Sequence, residues 1–138
     1  MKQKLGILVG IIAFGVLLAI SLIHDSNANA AQSPENAIKN TIHYYLDAIN
    51  AGDIDTIVKY TDDSRFPDKS VQKETYKDFK KESITNVSIQ GLEAISPTSY
   101  NVKITATISG KKEQFALPIV NKYGQWLVVV GQVQQQQQ

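Results

Sequence analysis

His43 and Asp47 stand four residues apart, the spacing that puts an imidazole and a carboxylate on one face of a helix, where they could act as a general base. The same spacing also describes an ordinary surface pair. The apolar stripe of that helix runs through Ile38, Ile42, Tyr45, Leu46 and Ile49, so His43 borders the stripe or faces water. Asp62, Asp63 and Asp68 form the other cluster of acids, without the spacing of a calcium loop. His43 is the only histidine beyond residue 30 and cysteine is absent, so the sequence offers no metal site and calls for no cofactor. The lack of cysteine also excludes disulfides, a thiolate nucleophile and a lipidated-cysteine anchor. Lys69, Lys73, Lys77 and Lys81, with Lys80 beside them, fall at helical spacing and could face anionic polymers or headgroups. Glu74, Asp78 and Glu82 dilute that stripe, which makes a solvated helix face the default. A formal charge of +1 over 138 residues gives no nucleic-acid binder.

These side chains need elements to hold them. Ser33-Pro34-Glu35 reads as a helix start, with Ser as N-cap and Pro in the first turn, and Gly52 as its stop. Asp53 caps a short second helix whose apolar face is Ile54, Ile57, Val58 and Thr61. Residues 62–68 read as a loop containing a short strand at Arg65-Phe66. Residues 70–82 form a third helix with Val71, Tyr76 and Phe79 as its apolar contacts. From Ile84 the period changes to two, and the phase slips near Gly91, as at a bulge. Tyr100, Val102, Ile104, Ala106 and Ile108 alternate as a half-buried strand, and Ser109-Gly110-Lys111 turns it. Phe115, Leu117 and Ile119 make the next strand. Residues 126–130 are apolar on both faces, as in a central strand. Helices followed by a meander of about four strands give an α+β class.

The N-terminus has a separate logic. A basic start (Lys2, Lys4), the apolar run 5–23 and the small residues Ala28, Asn29 and Ala30 make the layout of an export signal, with Ala31 as the first mature residue. The run is longer than the usual signal core of about 7–15 residues. It approaches the roughly 20 needed to cross a bilayer, so a retained single-pass anchor is the alternative. Either way the domain lies outside the membrane, because Lys2 and Lys4 keep the N-terminus inside. The chain thus divides into an export segment or anchor at 1–30, one α+β domain at 31–133 and a glutamine tail at 134–138 that reads as disordered. Setting aside Lys2, Lys4 and Asp25 leaves the remainder formally neutral.

From Tyr45 through Gly52-Asp53, Tyr60 and Asp62-Asp63, the sequence resembles the nuclear transport factor 2-like superfamily, which includes ketosteroid isomerase. The resemblance implies a long helix, a Gly-Asp corner and a curved sheet that wraps the helix into a cone. Tyr45, Ile49, Tyr100, Phe115 and Trp126 would line its cavity. In ketosteroid isomerase a first-helix tyrosine and an aspartate beyond the Asp-Asp loop do the chemistry, positions that Tyr45 and Asp68 match here with one gap. The same enzyme needs a protonated acid on an inner strand face. Glu93 and Glu113 are the only acids in the strand region, and neither fits that place. The superfamily's small exported bacterial envelope domains are the most similar group.

The sequence therefore leads to an extracytoplasmic, non-catalytic envelope protein whose domain receives an envelope protein or a small apolar ligand. The alternatives are an isomerase- or hydrolase-like enzyme using Tyr45 and Asp68, and a structural module dimerising through its sheet face. The membrane is a partner through residues 5–23 if the segment is retained.

Overall fold

The structure is a computed structural model, and it describes residues 33–131. The expected export segment or anchor, the expected cleavage site at Ala28, Ala30 and Ala31, and the glutamine tail lie outside the described residues. Among the described residues no helix is long and apolar enough to cross a membrane.

Helix α1 (Pro34–Ala51) begins where Ser33 accepts a hydrogen bond from the Asn36 amide. It ends at Gly52 in the left-handed region (φ 71°), whose amide and that of Asp53 close back onto Ile49 and Ala48. A side chain at Gly52 would be strained there, so the corner favours glycine. Ile38, Ile42, Tyr45, Leu46 and Ile49 are all buried, each contributing at most roughly 2–3 kcal/mol of apolar burial. Asp53 caps α2 (Ile54–Lys59), accepting from both the amide and the hydroxyl of Thr56, and those bonds hold its carboxyl below the usual range.

Five strands form one sheet, one more than the sequence suggests. The additional strand is β1 (Thr61–Asp63), and Arg65-Phe66 follows it outside any strand. Three residues carrying two acids show no apolar alternation in the sequence, and the strand is defined by parallel pairing with β5 (Gln125–Val130), Thr61 opposite Val128. Helix α3 spans Lys69–Tyr76 only, shorter than the 70–82 expected. Tyr76 sets its buried face, so Gln72 one turn earlier points inward and Val71, an expected contact, is 53% exposed. Beyond Tyr76 the segment offers only Phe79 to the core, and the chain turns there through a Phe79 amide bond to the Tyr76 carbonyl.

The meander matches its periodicity. Strands β2 (Ile84–Ser96), β3 (Ser99–Ile108) and β4 (Lys111–Lys122) pair antiparallel, and the sheet order is β1-β5-β4-β3-β2. Ser109-Gly110 and Tyr123-Gly124 make the tight turns, with positive φ at both positions of each. Register shifts in β2 fall between Thr85 and Ser88, between Ile89 and Gly91, and between Ala94 and Ser96, so the expected bend at Gly91 is one of three. The bulged sheet curves, and α1 packs against both β2 and β5. Helices followed by a curved sheet around the long helix is the order that the resemblance implies. Inside lie Val102, Ile104, Ala106, Phe115, Leu117, Ile119, Trp126 and Val128.

Candidate functional site

The nominated residues separate in space. Tyr45 is buried on α1, and burial, with Tyr76, Glu82 and Asp63 nearby, pushes its hydroxyl pKa up, so it remains a neutral O–H. Asp68 is exposed and caps α3, accepting from the Ser70 amide at 2.7 Å. No hydrogen bond joins the two, and one is buried while the other is exposed. His43 and Asp47 are both exposed, and no hydrogen bond joins them. Ile49, Phe115 and Trp126 belong with Tyr45 to the packed core, and half-buried Tyr100 sets its ring edge-on to Trp126 at 5.5 Å. Glu93 is exposed, and Glu113 sits half-buried opposite Ala106 near the β3–β4 turn.

The lysine stripe breaks up as well. Lys69 donates to the Val58 carbonyl at 3.0 Å and to that of Thr61, Lys73 pairs with Asp55 at 2.5 Å, and Lys77 pairs with Glu74 at 2.5 Å. Burial lowers the Lys69 pKa, although Asp62 and Asp63 oppose it.

A different group of polar residues converges between β1 and α3. Alternation in β1 turns Thr61 and Asp63 inward and leaves Asp62 outside, where it pairs with Lys122 at 2.7 Å. The Asp63 side chain is fully buried. Its Oδ1 accepts from the Arg65 amide at 3.0 Å and Arg65 Nε at 2.9 Å; its Oδ2 accepts from Arg65 Nη2 at 2.7 Å and the Tyr76 hydroxyl at 2.6 Å. Burial alone would raise the carboxyl pKa. The donors from Arg65 and Tyr76 outweigh it, so Asp63 is held below the usual carboxylate range. Burial and donation to Asp63 push Tyr76 up to about 12. Beside them Gln72, fully buried, donates to Thr61 Oγ1 at 2.8 Å, while its own Oε1 has no partner among the described residues. Gly131 closes the group: a Cβ there would run into Arg65 Nε and Asp63 Oδ1.

Chemically this is a clasp. An ionised carboxylate whose oxygens each hold two donors has no lone pair positioned for a substrate proton. The Arg65 side chain, 43% exposed, keeps its remaining edge toward solvent. In the sequence Asp63 stands only in an acid cluster, Arg65 only in an expected short strand and Tyr76 only as an apolar contact, and Gln72 is not marked at all. The Asp-x-Arg spacing was the available signal; Gln72 gave none, sitting in a lysine-rich stretch. Among the described residues no group of three or more His, Cys, Asp or Glu is placed to hold a metal ion.

No family profile and no curated protein matches the chain. Among solved structures it is similar to a Campylobacter jejuni protein provisionally named an NTF2-like transpeptidase, at 15% identity and a TM-score of 0.49, over 72% of this chain and 99% of that one. It is also similar to a de novo designed protein with a curved β-sheet, at 10% identity and a TM-score of 0.45, over 67% of this chain and 96% of that one.

Proposed function

We propose that this is an exported, non-catalytic bacterial envelope domain that binds a partner on the outer face of its sheet. One observation carries the reading. Ala116, Pro118 and Val120 on β4 and Leu127 and Val129 on β5 point away from the core, are all half-buried, and form one apolar stripe, with Val120 paired to Leu127. The Lys122–Asp62 pair borders it, and exposed Lys103 on β3 turns the face polar beyond it. The interior supports the same reading, because the residues expected to line a cavity are packed together and Asp63, the one acid buried among the described residues, is fully engaged. Export rests on the basic, apolar and small-residue order of residues 1–30.

The test is a photocrosslinking amino acid at position 127 of the full chain in its own cells, with position 75, exposed on α3, as the control. A discrete adduct at 127 and none at 75 is the expected result, and its mass separates a second copy from another envelope protein. No adduct at 127 overturns the reading. Mass-spectrometric sequencing of the same protein tests export: a start near Ala31 means cleavage, and intact Met1 in the membrane fraction means an anchor.

A further inference from the structure

Tyr44 is not explained by the core, whereas half-buried Tyr60 packs against its edge. Tyr44 lies off the buried stripe of α1 and is 53% exposed, yet its ring stacks on that of Tyr60, with centroids 5.4 Å apart and planes 21° from parallel. The Lys59 ammonium stands over the Tyr60 ring at 5.1 Å. The backbone beneath both rings is anchored. Tyr44 sits in the middle of α1. The Tyr60 amide donates to the Thr56 carbonyl at 3.1 Å, its carbonyl accepts from Val128 at 2.8 Å, and the Gln125 amide group donates to the Lys59 carbonyl at 3.2 Å. Asn40 and Asp47, both exposed, lie one turn before and after Tyr44 on the same helix face.

We infer that this stack is a carbohydrate-binding platform, taking one pyranose ring of a β-(1→4)-linked glycan on the open face of Tyr44. The face of an aromatic ring is negative, and the flat side of an all-equatorial pyranose presents weakly positive C–H groups to it. Such a sugar carries hydroxyls around its rim, and Asn40 and Asp47 supply donors and acceptors there. The other occupants of aromatic faces fit less well. The Asp47 carboxylate on the rim would attract a guanidinium or quaternary amine, but the Lys59 ammonium already on the stack opposes it. A nucleic acid would bring phosphates to a chain with almost no net charge. An apolar peptide would leave the polar rim unpaired. A preorganised platform loses little freedom on binding, which suits a small contact area.

The experiment is NMR of the full chain, with ring-labelled tyrosine, in a detergent that contains no sugar. Chitotetraose and cellotetraose are the probes, with α-linked maltotetraose and an arginine-rich peptide for comparison. The expected result is a saturable shift of the Tyr44 and Tyr60 rings with a β-linked probe, weakened about tenfold or more by Tyr44→Ala. Tyr44→Phe keeps the stack and should retain binding, as should Ile95→Ala at a distant exposed position. Absence of a saturable shift with either β-linked probe up to about 10 mM overturns the inference. So does binding unaffected by Tyr44→Ala, or a response to the arginine-rich peptide alone.

Discussion

Each oxygen of the Asp63 carboxylate is held by two donors, and this decides how the protein should respond to pH. The folded state keeps Asp63 below its ordinary pKa, so its contribution to stability is complete above the unfolded carboxylate range of about 4 and is lost as pH falls through the folded value. Tyr76→Phe removes one donor to the charged form, at a cost of roughly 2 kcal/mol. It also raises the folded pKa of Asp63, so acid unfolding should begin at higher pH than in the parent chain. Asp63→Asn should flatten the acid limb instead. Chemical denaturation as a function of pH, read by circular dichroism, checks all three curves. On the alkaline side the sign reverses. Tyr76 is raised to about 12, so the stability it contributes is present below its ordinary value of about 10 and fades as pH rises toward 12.

At the scale of elements, the last turn of α1 is tied to the first residue of β2 by one side chain. Asn50 donates to the Ile84 carbonyl at 2.8 Å and accepts from the Ile84 amide at 2.6 Å. Asn50→Ala strands both groups of a buried residue, and we expect a loss of about 2 kcal/mol in urea denaturation, with Asn50→Asp, which keeps the acceptor, losing less. Nothing in the sequence marks this tie, because the two residues are joined only once the elements have packed. Local signals were legible: the α1 stripe, the Gly-Asp corner and the alternation of β3 all follow from neighbours within a few residues. The signals that failed depend on distant partners. Strand β1 exists through β5, and the early end of α3 follows from which of its residues the core accepts. The candidate site failed for the same reason, since Asp63, Arg65 and Tyr76 read as a loop and a helix until the chain brings them together.

For the whole molecule, two adjacent residues of β5 report on opposite faces. Val128 is fully buried, and Val128→Lys places an unpaired charge in the core, at a cost of several kcal/mol that should abolish the cooperative thermal transition. Leu127→Lys changes the outer stripe. It should leave the transition within about 1 kcal/mol of the parent and still prevent the adduct formed by a crosslinker placed at the neighbouring position 120. The pair separates a domain that merely folds from one that also presents a surface. Equal effects of the two variants on folding would count against a free outer face.

The position of β5 also governs timing. It lies between β1 and β4, so the strand made last joins the earliest strand to the meander. Until residues 125–131 are available, β1 has no neighbour and the Asp63 clasp has no Gly131 backbone to close against. A chain whose residues 125–131 are still withheld therefore lacks the strand that joins β1 to the meander and cannot complete the domain. Availability of β5 is what completes the sheet.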